Sequence, residues 1–149
     1  MTARFLCKET FPIQKGSRAL VYAAAGGTGQ ILLQWIKHLG GIVSCLVFLK
    51  QNCSEKKKVI AVVSTDEKAA ICKNLGADHT ILSSQNIPEA VAAICGKVDV
   101  CFDSIGKDTF NASIDSLRPR GMMVSYGNAS GAVKEHPILC CLFLKRNHF

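Results

Sequence analysis

A turn of small residues in the first third of the chain has the composition and spacing of a phosphate-binding loop. An apolar run that predicts a strand, residues 19–23, leads into it, and a segment with one apolar helical face follows it. With alanine in the first position, the turn reads G-x-G-x-x-G over Ala24, Ala25, Gly26, Gly27, Thr28 and Gly29. Such residues let the backbone bend sharply, approach a pyrophosphate and direct helix N-terminal amides at its charge. The pattern indicates dinucleotide binding, with an ordinary strand–helix connection as the alternative.

The elements that must position this turn alternate between strand and helix along the chain. Strands are predicted at residues 19–23, 59–63, 80–82, 98–102 and 122–126. Helices are predicted at residues 2–10, 30–39, 66–75, 88–95 and 108–117, with residues 118–121 ending the last one. The predicted buried faces of two of these helices consist of Ile31, Leu32, Trp35, Ile36 and Leu39, and of Ala69, Ala70 and Leu75.

This alternation predicts an α/β fold, a Rossmann-type doubly wound parallel sheet of about five strands with right-handed crossovers. Ligands of such sheets bind beyond the carboxyl ends of the strands. We therefore expect four loops to converge: residues 24–29, 64–68, 103–106 and 127–131.

The organisation predicted for the chain has four parts. Residues 1–18 form a linking helix and turn, and residues 19–133 form the dinucleotide-binding domain. Within that domain, residues 42–57 are interpreted as an insertion, because connections of this kind usually take about 2 to 6 residues. Residues 134–149 are interpreted as an atypical C-terminal tail.

Composition and charge narrow the function classes. The 149 residues are 48% hydrophobic and 19% charged, which is typical of a globular chain, and no apolar run approaches the roughly 20 residues of a membrane span. The N-terminus lacks the apolar core of a signal peptide, so we expect a cytoplasmic protein. The net charge of +7 is confined to residues 1–18, 42–58 and 132–149, without interleaved aromatic residues. No nucleic-acid partner is therefore expected.

The titratable and thiol side chains give no catalytic or metal site. Eight cysteines occur without a C-x-x-C pair or a Cys/His ligand spacing, so we expect reduced structural thiols and no metal. Cys72, Cys95 and Cys101 lie in patterned segments where cysteine acts as a small hydrophobic residue. The four histidines form no arrangement of base and nucleophile, and no catalytic residue is assigned.

Five sequence motifs occur in an order that resembles a known family. They are residues 21–29, 62–70, 75–79, 103–110 and 118–131. They resemble the cofactor domain of zinc-free, NADPH-dependent quinone oxidoreductases, the zeta-crystallin-like members of the medium-chain dehydrogenase/reductase superfamily. The resemblance covers about residues 2–41 and 58–133. It implies hydride transfer from NADPH to a quinone or similar conjugated carbonyl without a metal, and pairing of two copies through the sheet edge.

The resemblance also implies roles for particular residues. Residues 24–29 would hold the pyrophosphate, and Ser64 with Lys68 would hold the adenosine 2′-phosphate. A lysine at the end of the second strand suits a phosphate, whereas an acidic residue suits a bare ribose, and the nearby Asp66 leaves NAD open. The residues implied beside the ribose and nicotinamide are Ser104, Gly106, Gly127 and Asn128. The alternatives are a solvated helix residue for Lys68 and simple turn residues for this last group.

Departures from the family pattern shape the expected activity. Thr28 replaces the usual valine of the phosphate loop, and Ser83 stands where family members often carry a tyrosine that stacks on the adenine. The family's GroES-like catalytic domain and its sixth strand are expected to be absent from this chain. We therefore expect weak or absent turnover from the chain alone. Alternative interpretations are a non-catalytic dinucleotide-binding or dimerising fragment, or an unstable truncated product.

Overall fold

A computed structural model describes residues 1–40 and 59–133 of the chain. Its helices are α1 (Thr2–Phe5), which continues as a π-helical turn over Leu6–Thr10, α2 (Gly27–Gly40), α3 (Asp66–Asn74), α4 (Ile87–Cys95) and α5 (Phe110–Ser116). Its strands are β1 (Ala19–Val21), β2 (Val59–Val63), β3 (His79–Leu82), β4 (Val98–Asp103) and β5 (Leu117–Ser125). The interpretations of residues 42–57 and 134–149 concern segments outside the described residues.

The five strands form one parallel sheet in the order β3-β2-β1-β4-β5. The central strand β1 pairs with β2 on one side and with β4 on the other, for example Ala19 with Val59 and with Val100. The order reverses at β1, which is the point where doubly wound sheets open a crevice for ligands. The predicted fold class is therefore confirmed.

Alternation along β1 divides the core into two layers. Ala19 and Val21 face the layer formed with α1, α2 and α3, whereas Leu20 and Tyr22 face the layer formed with α4 and α5. Every residue of β1 and β2 is buried, as expected for strands covered on both faces. The loops that follow the strands therefore extend from the carboxyl edge of a sheet whose central strands are buried on both faces.

The buried helical faces differ in part from the predicted ones. In α2, Leu32 and Ile36 are buried as predicted, but Ile31 is 53% exposed and Leu33 is buried instead. Trp35 and Leu39 are partly buried and pack against the core. The apolar stripe is therefore turned toward Leu33, because α2 packs against α1 along one side as well as against the sheet.

A similar correction applies to α3. Ala69 is buried as predicted and Leu75 is partly buried, but Ala70 is exposed and the thiol residue Cys72 is buried in its place. The two predicted alanines are adjacent in sequence and point in directions about 100° apart on a helix, so one sheet-facing stripe cannot bury both. The spacing of Ala69 and Cys72 places both on the sheet-facing side.

The end of α5 also differs from the prediction. The helix ends at Ser116, and residues 118–121, predicted as the turn that ends it, lie inside β5. Leu117 pairs with Val98 and Met122 with Val100, so these four residues bulge out of the ladder. Pro119 has no amide hydrogen to donate and Arg120 has φ +65°, which explains why this segment cannot continue the pairing.

Candidate functional site

The small-residue turn connects β1 to α2 at the carboxyl edge of the sheet. The strand is shorter than predicted because Ala23 takes a left-handed conformation, φ +47°, and bends the chain away from the sheet. The turn is held by backbone hydrogen bonds from Ala24 N to Val62 O (3.3 Å) and from Gly26 N to Ala23 O (2.9 Å). Helix α2 begins at Gly27, so Thr28 and Gly29 belong to its first turn.

Gly29 is the position where this turn most requires a missing side chain. A Cβ built on it would lie 2.5 Å from Ala23 O and 2.8 Å from Ala24 Cα, both backbone atoms that cannot swing aside. At Gly27, by contrast, a Cβ would meet nothing within 4 Å. The third glycine of the pattern therefore lets the helix start approach the end of the strand, which directs the helix N-terminus into the space above the sheet.

Ser64 and Lys68 lie together after β2. Thr65 caps α3 by accepting a hydrogen bond from Lys68 N (3.4 Å), and the helix then places Lys68 one turn from Ser64. Lys68 Nζ donates to Ser64 Oγ at 2.9 Å, and both residues are exposed. This pair presents one cation and one hydroxyl to solvent at the mouth of the crevice, which suits a phosphate.

A cavity of about 340 Å³ lies between the ends of β1, β2, β3 and β4. It is lined by Ala23, Ala25, Gly26, Val62, Val63, Ser64, Lys68, Ser83 and Ile105. Its volume falls within the range of small-molecule pockets, about 300 to 1,000 Å³, and its walls combine aliphatic side chains with a few polar groups as such pockets do. The cavity brings together two predicted parts of the site, the small-residue turn and the Ser64–Lys68 pair.

The remaining predicted residues form a second group, where the loops after β4 and β5 meet. Backbone hydrogen bonds join the loops from Ser130 N to Ile105 O (2.8 Å) and from Lys107 N to Gly131 O (3.2 Å). Ser130 Oγ also donates to Ile105 O at 2.8 Å. These hydrogen bonds join the two loops to each other.

Two glycines of this second group are required by close approach. A Cβ on Gly127 would lie 2.6 Å from Ser104 O, and one on Gly106 would lie 2.8 Å from Asn128 Oδ1. Gly106 also has φ +95°, which a side chain disfavours. Ser104, Gly106, Gly127 and Asn128 are thus in mutual contact, but they do not line the cavity; Ile105 is the residue of these loops that does.

A buried carboxylate supports these loops from beneath. Asp103, the last residue of β4, is fully buried and accepts hydrogen bonds from Ile105, Gly106, Thr109 and Ser113. Tyr22 is buried in the same region, and burial raises the pKa of its phenol, which the neighbouring Ser113 side chain opposes only in part. The Tyr22 hydroxyl has no well-formed hydrogen bond to the described part of the chain.

The thiols of the described segments have the character of core residues. Cys7, Cys72 and Cys101 are buried, and burial raises the pKa of the Cys7 thiol to about 12. Cys95 is partly buried and packs against the core layer of α4 and α5. Within residues 1–40 and 59–133, no group of three or more His, Cys, Asp or Glu side chains is arranged to hold a metal ion.

The sequence predicted that the loop 103–106 lies at this edge of the sheet, but it did not predict individual roles for Val63, Ile105 or Asp103. Val63 and Ile105 supply apolar cavity wall, and Asp103 supplies the network beneath it. An acidic residue directly after a strand of buried residues, followed by a serine and a glycine, is the signal that marks Asp103. Within residues 1–40 and 59–133, no helix combines the length and the apolar composition that spanning a bilayer requires.

Residues 27–147 match the family model described as zinc-binding dehydrogenase. Among curated proteins, the chain is 45% identical over 134 residues to a 2-haloacrylate reductase from a Burkholderia species, covering 88% of this chain and 35% of the reductase. It is 38% identical over 136 residues to quinone oxidoreductase 1 of Escherichia coli, covering 89% of this chain and 37% of that enzyme. The chain thus spans little more than a third of the length of these relatives.

Solved structures of the same two kinds of reductase are also similar to this chain. The crystal structure of a 2-haloacrylate reductase superimposes with a TM-score of 0.76 at 42% identity, covering 93% of this chain and 38% of the other. The Escherichia coli quinone oxidoreductase complexed with NADPH superimposes with a TM-score of 0.75 at 38% identity, covering 89% of this chain and 37% of the other.

Proposed function

The chain belongs to the zinc-binding dehydrogenase family, and we propose that it is the cofactor-binding part of an NADPH-dependent oxidoreductase. The observation that carries this proposal is the cavity in which the Ala24–Gly29 turn and the Ser64–Lys68 pair meet. One relative of known structure contains NADPH, and it matches 89% of this chain. The residues present fit a dinucleotide, because Gly29 lets the start of α2 pack closely on the end of β1, as the third glycine of a dinucleotide-binding turn does.

The proposal assigns the two ends of the adenosine half to different elements. The turn and the first residues of α2 would hold the pyrophosphate, because backbone amides at a helix N-terminus favour negative charge. Lys68 Nζ and Ser64 Oγ would hold the 2′-phosphate, which only NADPH carries. The aliphatic walls, Val63 and Ile105 among them, would cover the adenosine. Preference for NADPH over NADH therefore depends on Lys68.

The reaction proposed for the complete oxidoreductase is hydride transfer to a small conjugated carbonyl such as a quinone. The cofactor supplies the hydride when bound, and this chain's residues bind and orient it. Ser104, Gly106, Gly127 and Asn128 would lie beside the ribose and nicotinamide. Transfer needs donor and acceptor held about 3 to 3.5 Å apart in a site shielded from water. We propose that the described half of such a cleft gives weak or no turnover by itself.

Titration of the full chain with NADPH, followed by nucleotide fluorescence with NADH in parallel, tests the proposal. We expect saturable binding that prefers NADPH. Lys68→Glu should lower the affinity for NADPH by at least about tenfold and leave that for NADH nearly unchanged, because it replaces an attraction to the 2′-phosphate by a repulsion.

Lys73→Glu provides the matched control. Lys73 lies on the same helix, is exposed, and changes the net charge equally, but it does not line the cavity. It should leave the preference for NADPH intact. An unaltered chain that binds neither nucleotide, or a Lys68 variant that keeps its preference for NADPH, would contradict the proposal.

A second proposal concerns assembly through the sheet edge. Strand β5 has β4 as its neighbour and no strand on its other side within the described residues. An open strand edge favours pairing with another chain. We propose that two copies pair through β5, which light scattering coupled to size-exclusion chromatography would test; a monomer at all concentrations would exclude it.

A further inference from the structure

Asp103 is a buried charged group whose role the proposed cofactor contacts leave open. The side chain has no exposed surface, and none of the ion pairs of the described residues includes it. Burying a carboxylate is costly unless strong hydrogen bonds replace its hydration. The groups that hydrogen-bond to the Asp103 carboxylate should therefore indicate what its burial contributes to the structure.

Four donors surround the carboxylate, two on each oxygen. Oδ1 accepts from the backbone amides of Ile105 (2.8 Å) and Gly106 (3.1 Å). Oδ2 accepts from Thr109 Oγ1 (2.8 Å) and Ser113 Oγ (2.8 Å). All four donors come from the loop that follows Asp103 or from α5, into which that loop runs. The carboxylate thus folds the loop back over the end of β4.

The folded loop carries two features of the candidate site. Ile105, whose amide the carboxylate holds, lines the cavity with Lys68 and Ser64. The carbonyl of Ile105 accepts both hydrogen bonds from Ser130 that attach the loop after β5. Fixing the amides of Ile105 and Gly106 therefore fixes the cavity wall on one side and the β5 loop on the other.

We propose that Asp103 is a positioning residue of the cofactor site, which acts by holding Ile105 and Gly106 in place before the nucleotide binds. This inference rests on the proposed NADPH-binding function. It concerns preorganisation of the pocket, since a loop that must be ordered on binding lowers the affinity by the cost of ordering it. It also predicts an effect that does not depend on the 2′-phosphate, because β4, which ends at Asp103, and β2, which precedes the Ser64–Lys68 pair, lie on opposite sides of β1.

Asp103→Asn is the main variant for the test. Asparagine keeps one carbonyl oxygen for the two amides but turns a donor toward the hydroxyls and removes the charge. Ser113→Ala removes a single donor from Oδ2. Its matched control is Ser116→Ala. Ser116 is a second fully buried serine of α5, and its hydroxyl donates to Ala112 O within the same helix.

Two measurements on the full chain separate positioning from general stabilisation. Nucleotide titration gives both the dissociation constant and the number of sites, because a partly unfolded sample loses sites whereas a misplaced loop weakens every site. Hydrogen exchange of the free protein reports the amides of Ile105 and Gly106 directly.

The expected result is a dissociation constant raised about tenfold by Asp103→Asn, with one site per chain retained. The rise should be equal for NADPH and NADH, and exchange at Ile105 and Gly106 should accelerate. Ser113→Ala should give a smaller rise, and Ser116→Ala none.

Other outcomes overturn the inference. An unchanged dissociation constant in Asp103→Asn would do so even if exchange accelerates, and so would a loss of sites without a change in affinity. If the unaltered chain binds neither nucleotide, the proposed function fails by itself. In that case the exchange data test by themselves whether Asp103 holds the loop in place. Unaltered exchange at Ile105 and Gly106 in Asp103→Asn would exclude this role as well.

Discussion

The two halves of the carboxyl edge of the sheet are built on different physical principles. On the β1–β2 half, the turn lacks large side chains, and the polar groups that follow β2, Ser64 and Lys68, are exposed. On the β4–β5 half, two loops are hydrogen-bonded to each other, and the loop after β4 is also hydrogen-bonded to a fully buried carboxylate, Asp103. The first half offers its hydrogen-bonding groups to a ligand, whereas the second uses them internally.

This difference separates recognition from support. Groups that bind a phosphate must remain available, so they contribute little to the stability of the free protein. Groups that hold a loop in place must be satisfied before the ligand arrives, so their removal costs stability as well as shape. Four substitutions test how far this division holds.

Gly29→Ala should have the largest effect on stability and on NADPH binding, because the added methyl group does not fit into the turn of the β1–β2 half. The added Cβ would overlap the backbone of Ala23 and Ala24, and we expect the free energy of unfolding to fall by about 3 kcal/mol together with a loss of NADPH binding. Urea unfolding and nucleotide titration measure the two effects. Gly27→Ala, where the space is open, should stay within about 0.5 kcal/mol of the unaltered chain. Equal stability of the two variants would contradict the close approach at Gly29.

Gly127→Ala should separate the two loops of the β4–β5 half. Its Cβ would press on Ser104 O at 2.6 Å and on Ser104 Cα at 3.0 Å, so we expect a loss of about 2 kcal/mol in unfolding free energy. Urea unfolding checks this, with Gly27→Ala again as the reference. Hydrogen exchange should accelerate at Ser130, whose amide pairs with Ile105. Undisturbed exchange there would show that the loops do not depend on this contact.

Thr65→Ala tests how much the α3 cap, on the β1–β2 half, contributes to the free energy of unfolding. It removes the side-chain cap of α3, the helix that carries Lys68, and should cost about 1 kcal/mol. Thr65→Ser keeps the hydroxyl and should restore most of this loss, as thermal unfolding can measure. A loss well above about 2 kcal/mol would show that Thr65 contributes more to stability than a helix cap does.

Tyr22→Phe should have the smallest effect and the opposite sign. It removes a buried hydroxyl that has no well-formed partner among the described residues, so stability should be unchanged or raised by up to about 1 kcal/mol. Calorimetry of the two proteins provides the comparison. A clear loss of stability would mean that the hydroxyl is paired, with Ser113 as the partner, and that the Asp103 network extends to β1.

The sheet could be predicted from the sequence because most of its strands are short runs of apolar residues. The bounds of β2, Val59–Val63, agree with the prediction, and the ends of β3, β4 and α4 agree within one residue. The prediction that residues 118–121 form a turn was wrong, because Pro119 and Gly121 suit a turn and a bulge equally well. Only the register of β5 against Val98 and Val100 distinguishes the two.

The candidate site was predicted more completely where it depends on residue type than where it depends on contact. The small-residue turn and Lys68 are visible in the sequence, since glycine spacing and charge are local properties. The share of Ile105 in the cavity follows from the hydrogen bonds of Asp103, which need the folded loop. The facing of Leu33 likewise follows from the packing of α2 against α1, which no periodicity reveals.

The central position of β1 also determines how the molecule acquires its structure in time. This strand has only three residues, and its two partners lie about 40 and 80 residues further along the chain. Its pairing is therefore non-local, and folding should be slower than that of a helical bundle of similar length. During synthesis β1 cannot be flanked on both sides until β4 has left the ribosome. Until β4 has been synthesised, one edge of β1 therefore lacks its partner strand.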